Sequence, residues 1–221
     1  MKREIIVTSD GSTSIHLPDW EESYHSKHGA IQEAKHVFIK NGLSFFKGQS
    51  VSILEIGFGT GLNAFITFLE SQLSNQLVDY VGVEGFPISS QEVLQMNYVN
   101  QLNATDFKAV FELFHLCKWE ENVTISNHFR LTKRNQLFNE IDDINQFDLI
   151  YFDAFGYRVQ PELWSTEIFK KMYDSLRTNG VLVTYACRSV IKKAMLAVGF
   201  KVEKLPGAPG KREMLRALKN G

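Results

Sequence analysis

The residues of this chain best placed to do chemistry are a carboxylate and three alternating glycines, Glu55, Gly57, Gly59 and Gly61, in VSILEIGFGTGLN (residues 51–63). Lacking a Cβ, the glycines let the backbone turn sharply and a ligand come close. A dinucleotide-binding turn spaces its glycines G-x-G-x-x-G and seats a pyrophosphate on the following helix N-terminus. The third glycine of that pattern would fall at residue 62, which is leucine. The spacing E-x-G-x-G-x-G instead puts a carboxylate one turn ahead of the glycines, where it repels a pyrophosphate and attracts a cationic amino group. A sulfonium nucleoside bearing an amino acid, S-adenosylmethionine, fits this pattern, with Asn63 as a further polar contact.

Two more acidic residues end apolar segments. Glu84 closes VDYVGVE at about the 20-residue distance from a glycine turn at which a carboxylate binds ribose hydroxyls. Asp153 closes FDLIYFD. Taken alone it reads equally as a turn or helix-cap carboxylate and as a catalytic one. His25 and His28 form a pair without further ligands at a suitable spacing, so no metal is expected.

The elements that must position these residues alternate between strand and helix periods, as in a doubly wound sheet. The predicted order is a helix over Gly29–Phe38, a strand over Val51–Ile56, a helix over Leu62–Leu73 and a strand over Val78–Glu84. Pro87 and Ser89 start another helix, and Asp106–Trp119 reads as helical. VTIS and FRLTK flank Asn127 and His128 as a hairpin. Phe147–Phe152 and Gly180–Tyr185 are the near-continuous apolar runs of buried parallel strands. A helix lies between them over Pro161–Arg177. A helix over Arg188–Val198 and strands over Phe200–Leu205 and Glu213–Leu218 complete the chain. In such sheets ligands gather at the carboxyl ends of the strands near the topological switch point, where Glu55, Glu84, Asn135 and Asp153 all fall.

Composition agrees. With 221 residues and 44% hydrophobic content, the chain can bury the core of one α/β unit. Cys117 and Cys187 are too few and too far apart for a disulfide scaffold and suit buried thiols in a reducing compartment. The N-terminus, MKREIIVTSDG, lacks the apolar core of a signal peptide, and no apolar run is long enough to span a membrane. A cytoplasmic location is therefore expected. The net charge is −1, yet residues 185–221 carry nine Lys or Arg against Glu203 and Glu213. Such a basic segment suits either a phosphate-bearing partner or an ordinary solvated surface.

Several longer stretches together resemble one family. TSDGS, YHSKHGAIQEAKHVF and NGL near the N-terminus, LEIGFGTGLN, VEGFP, FDLIYFDAFGYRVQPELW, and AVGFKVEKLPGAPGKREML are similar to segments of the methyltransferase half of the bifunctional tRNA wobble-uridine modification family MnmC and its stand-alone counterparts, MnmD. The resemblance spans nearly the whole chain. It implies a Rossmann-like class I S-adenosylmethionine methyltransferase, α/β, with a mostly parallel seven-stranded sheet over residues 46–221 and a small hairpin insertion. Residues 1–45 would be an N-terminal segment packed on that core.

The implied reaction is methyl transfer to the amine of 5-aminomethyl-(2-thio)uridine at the tRNA wobble position, with tRNA as partner and upstream enzymes supplying the aminomethyl substrate. Asp153 is then catalytic. Glu55, Gly57, Gly59, Gly61, Asn63, Glu84, Asn135 and Tyr24 bind the cofactor, and Tyr157, Trp164, Lys211 and Arg212 contact the substrate. Tyr24, His25 and Ser26, with Gln32 and Glu33, belong to the matched N-terminal stretch and would close over the methionine end of the cofactor or shape the substrate pocket. After the third strand the family has Gly-Asp, whereas this chain reads Lys133, Arg134, Asn135. An amide oxygen can accept the same bond from an adenine amino group. The bifunctional enzyme's oxidase half has no room in 221 residues, so methylation alone is expected. A methyltransferase acting on another amine and a non-catalytic nucleotide-binding module are the alternatives.

Overall fold

A computed structural model describes residues 2–220. The chain begins with a small antiparallel sheet of β1 (Glu4–Val7), β2 (Thr13–Leu17) and β3 (Glu22–Ser23), which the sequence reading did not anticipate. β2 is buried at four of its five positions, so no period-two alternation marks it as a strand. Asp10, in the turn between β1 and β2, accepts from the backbone N–H of Gln32 at 3.0 Å and so ties this sheet to the first helix. That helix, α1 (Ala30–Ala34), widens into a π turn over Lys35–Lys40. The Asn41 side chain donates to the His36 carbonyl at 2.7 Å and closes it.

The main domain follows as β4 (Val51–Ile56), α2 (Leu62–Ser74), β5 (Val78–Val83), α3 (Ser90–Val93), α4 (Tyr98–Gln101), α5 (Lys108–Leu116), β6 (Asn122–Ser126), β7 (Phe129–Arg134), β8 (Phe147–Phe152), α6 (Thr166–Ser175), β9 (Leu176–Thr184), α7 (Ser189–Ala197), β10 (Phe200–Pro206) and β11 (Glu213–Lys219). The predicted helix over Pro161–Arg177 is broken for a local reason. Pro161–Trp164 forms a separate 3-10 turn. Ser165 then caps α6, its hydroxyl accepting from the Ile168 N–H at 3.3 Å. Ser89 and Glu92 form a reciprocal capping box at α3, as the start signal at Ser89 suggests.

The sheet has eight strands in the order β10-β11-β9-β8-β4-β5-β7-β6, one more than the seven expected. The predicted hairpin is no insertion. β7 pairs in parallel with β5, and β6 pairs antiparallel with β7 as the sheet's edge. The chain moves outward from β4 to β5 and β7, then returns to place β8 and β9 on the other side of β4. The switch point therefore lies between the carboxyl ends of β4 and β8.

Both faces of the sheet are covered. One core joins β4 and β5 to the Phe65–Phe68–Phe111–Phe114 cluster of α2 and α5, and takes in Ile15, Leu17, Ile31 and Phe38 from the N-terminal segment. The other packs β8, β9 and β11 against Trp164, Phe169, Met172, Ile191 and Met195. Burial on both faces explains why FDLIYF is almost wholly apolar.

Candidate active site

Three glycines in left-handed backbone carry the chain from β4 into α2: Gly57 at φ +92°, Gly59 at +49° and Gly61 at +72°. A Cβ on Gly57 would lie 2.7 Å from the Asp153 carbonyl oxygen, and one on Gly59 would lie 3.3 Å from the Tyr24 ring. Glycine is thus required both by conformation and by space, and at Gly57 the loop runs against the backbone that follows β8.

Above this loop opens a cavity of about 1140 Å³. Its wall includes Gly57, Gly59, Asn63, Glu84, Asp153 and Tyr24. The strands deliver these residues. Asp153 follows β8 and its N–H donates to the Ile56 carbonyl at 2.9 Å. Glu84 follows β5, and its two oxygens accept from the N–H groups of Gly59 at 2.9 Å and Phe86 at 2.8 Å. A carboxylate offers about four acceptor positions, so Glu84 keeps capacity for a ligand's hydroxyls while it clamps the loop.

At the base, one amide bridges two carboxylates. Asn63 Nδ2 donates to Glu55 Oε1 at 2.9 Å and to Asp153 Oδ2 at 2.8 Å. Glu55 Oε2 and Asn63 Oδ1 are buried without a partner. Burial, with the neighbouring charges of Asp153 and Glu84, holds the Glu55 carboxyl well above its usual range against the Asn63 bond. Asp153 is pushed up to about 7, first by burial and then by the negative charge of Glu33, while the Asn63 bond and Lys211 pull it down. At neutral pH it therefore lies near half-ionisation, where proton exchange with an amine is easiest.

The remaining predicted residues divide. Tyr24 lines the cavity and packs edge-on to Phe155 with ring centroids 5.0 Å apart. Burial raises its hydroxyl to about 12, so it stays protonated. Glu55 is 1% exposed and lies behind Asn63 rather than on the cavity wall. Asn135 is exposed; its side-chain amide donates to the Glu84 carbonyl at 2.8 Å, which braces the end of β5. Leu137, Phe138 and Asn139 line the cavity just beyond it.

Trp164 is 1% exposed, and its indole N–H donates to the Phe155 carbonyl at 2.8 Å. No ring face is open to stack on a base, so its place is to hold the loop after Asp153. Tyr157 is half-buried under the Arg188 guanidinium, 5.6 Å from the ring centroid. Lys211 points inward to Glu33, whereas Arg212 is exposed.

Some cavity residues carry no sequence signal of their own. Arg3, from the separate N-terminal sheet, lines the cavity and donates to the Phe86 carbonyl at 2.8 Å. Phe155 and Tyr185 reach the cavity only because β8 and β9 are neighbours. His25 also lines the wall, paired with the Ser14 hydroxyl at 3.0 Å, and burial pushes it down to about 4, so it is neutral. Among the described residues, no three His, Cys, Asp or Glu side chains cluster as a metal site. Cys117 and Cys187 are both free and half-buried rather than buried.

The cavity suits a cationic nucleoside: the glycine loop leaves room at its backbone, and Glu84, Glu92 and Asp153 are among the carboxylates on its wall. Fold and site together define an S-adenosyl-L-methionine-dependent methyltransferase. Residues 98–220, more than half of the chain, match the family described in those words, and the chain belongs to it.

Among its relatives are two proteins named tRNA 5-methylaminomethyl-2-thiouridine biosynthesis bifunctional protein MnmC. The one from Hydrogenovibrio crunogenus is 24% identical over 208 residues, covering 88% of this chain and 31% of that protein. The one from Delftia acidovorans is 27% identical over 220 residues, covering 91% and 33%. The chain thus spans about a third of the length of the curated relatives it matches. The fold is shared with MNMC2 from Aquifex aeolicus at a TM-score of 0.79 and 24% identity, over all of this chain and 71% of that one. A spermidine synthase from Thermotoga maritima shares it more distantly, at a TM-score of 0.56 and 14% identity, over 100% of this chain and 75% of that one. Among the described residues no helix is long and apolar enough to cross a membrane.

Proposed function

We propose that this chain methylates the amine of 5-aminomethyl-(2-thio)uridine at the wobble position of tRNA, giving the 5-methylaminomethyl nucleoside. The observation that carries this reading is Asp153, a carboxylate near half-ionisation on the wall of the glycine-loop cavity and fixed there by Asn63. The nucleoside is the one named for the relatives, 5-methylaminomethyl-2-thiouridine.

S-adenosyl-L-methionine, when bound, supplies an electrophilic methyl group on a sulfonium. The Gly57–Gly61 loop would hold it, with Glu84 toward the ribose hydroxyls, Asn63 Oδ1 toward the amino group and Tyr24 lining the same cavity. Glu55 acts through Asn63, fixing the direction of its amide.

An aliphatic amine is mostly protonated at neutral pH and has no lone pair to offer until a proton leaves. Asp153 as carboxylate accepts a hydrogen bond from the arriving ammonium, takes up its proton, and leaves the nitrogen lone pair free for the methyl carbon. As the nitrogen–carbon bond forms, the methyl carbon–sulfur bond of the bound cofactor would break with its electron pair left on a neutral thioether, and the acidic cavity stabilises the resulting secondary ammonium. Trp164 and Tyr185 keep Asp153 in place by holding the carbonyls of Phe155 and Ala154, at 2.8 and 2.9 Å. Effective catalysis of this kind depends on near-attack placement more than on any single charge.

The exposed Arg188, Lys193 and Arg212 provide a basic surface for RNA phosphate. The decisive test is nucleoside mass spectrometry of tRNA bearing 5-aminomethyl-(2-thio)uridine after incubation with the protein and S-adenosyl-L-methionine. One added methyl on that nucleoside is the expected result. Cofactor binding without that product would assign the acceptor to a different amine.

A further inference from the structure

We propose that Glu33 and Lys211, joined across the N- and C-terminal parts of the chain, form a positioning pair that sets the ionisation of Asp153 and hence the pH at which the acceptor amine meets a carboxylate. The inference rests on the reading of Asp153 given above. Glu33, on α1, has a side chain only 8% exposed. One of its oxygens accepts from the Ser26 N–H at 2.9 Å, and the other is bonded to the ammonium of Lys211, 178 residues away. That ammonium lies 3.8 Å from the centroid of the Tyr185 ring. The Tyr185 hydroxyl in turn donates to the carbonyl of Ala154, the residue after Asp153, at 2.9 Å. A half-buried ion pair, a cation–π contact and a hydrogen bond thus run in sequence from α1 to the backbone carbonyl of Ala154, next to the candidate catalytic residue.

The groups that bear on Asp153 come from six elements: Glu33 on α1, Glu55 on β4, Asn63 on α2, Tyr80 on β5, Tyr185 beyond β9, and Lys211 in the turn between β10 and β11. Glu33 raises Asp153 and Lys211 lowers it. Burial holds both Glu55 and Tyr185 toward their neutral forms. His25 also senses Glu33 and Lys211, but burial keeps it neutral. Glu33 and Lys211 thus act on Asp153 in opposite directions, Glu33 the more strongly; with one removed, the other acts alone.

The test is a pH titration of two single variants and their double. Glu33→Gln keeps an acceptor for Ser26 and leaves the Lys211 cation unopposed, so the Asp153 midpoint falls by roughly one unit. Lys211→Met leaves Glu33 unopposed, and the midpoint moves up. The double variant returns toward the parent value, and Lys211→Arg preserves it.

Two readouts apply: kcat/KM for the aminomethyl tRNA against pH, and carbon-13 NMR titration of the Asp153 carboxyl in cofactor-free protein, with melting temperature measured alongside. Opposite shifts in the two single variants support the pair. Loss of stability in both with an unmoved midpoint reduces it to a structural tie and overturns the proposal. Full methyl transfer by Asp153→Asn would instead remove the reading of Asp153 itself, so the two failures are distinguishable.

Discussion

The two halves of this site are built in different ways. On the cofactor side, Glu55, Gly57, Gly59, Gly61 and Asn63 lie within nine consecutive residues, and Glu84 follows on the adjacent strand. On the acceptor side, Asp153 meets Glu33, Tyr185 and Lys211, residues from both ends of the chain. A cradle for a common ligand needs one strand, one turn and one helix start. A carboxylate tuned for an amine near neutral pH needs burial and opposed charges, which one local segment does not supply. The difference teaches that the cofactor side tolerates reading as a motif, while the acceptor side exists only as an assembly.

The contrast predicts where each variant acts. The largest effect belongs to Asp153→Asn, which preserves shape and removes the proton acceptor; methyl transfer falls by about 10²–10⁴-fold with little change in the cofactor dissociation constant. Single-turnover kinetics alongside calorimetric cofactor titration measure both, and a parallel loss of cofactor binding would break the distinction between the halves. Parent kcat/KM rises with pH through about 7 as Asp153 ionises.

Gly57→Ala touches both halves at once, because its Cβ would press to 2.7 Å on the Asp153 carbonyl in a left-handed backbone. A destabilisation of about 1–3 kcal/mol is expected by chemical denaturation. Glu84→Ala removes an acceptor and unclamps Gly59, so the cofactor dissociation constant rises about tenfold, equivalent to the ~1.4 kcal/mol of a charge-assisted hydrogen bond. An unaltered constant would refute its place on the cofactor side.

Smaller effects follow from the surface and from pH. Arg212→Ala reduces the slope of log affinity for tRNA against log salt by about one, without moving the pH midpoint that Lys211 controls. Asp153 also couples folding to pH. With its folded value raised from 3.8 to about 7, the folded chain holds a proton that the unfolded chain has released between those values. This group's contribution therefore makes folding less stable as pH rises across that window and levels off above it. Asp153→Asn abolishes that part of the slope in urea denaturation measured from pH 4 to 8.

Much of the architecture was legible because period and punctuation were strong. Val51–Ile56 and Phe147–Phe152 appear as strands over the predicted residues, since burial on both faces selects continuous apolar runs. The N-terminal sheet was not legible. Its β1–β2 and β2–β3 pairings span four and two residues, and β2 owes its burial to packing on the main core rather than to an alternating pattern. Trp164 shows the same limit: its type fits a stacking platform, yet 1% exposure places it in the core. Lys211 and Arg212, adjacent and alike in charge, point to different surroundings because Lys211 finds Glu33 within reach.

By itself, the sequence determined the order of strands and helices, the glycine turn with its acidic neighbours, and the class of cofactor. Each depends on residues a few positions apart, whose backbone freedom and spacing are properties of the chain. Only the tertiary structure decided that Glu55 lies behind Asn63, that the predicted hairpin is the edge of an eight-stranded sheet, and that Lys211 turns inward. Burial and electrostatic pairing depend on which distant groups share one small volume, and that sharing arises only when the sheet closes and the two ends of the chain meet over it.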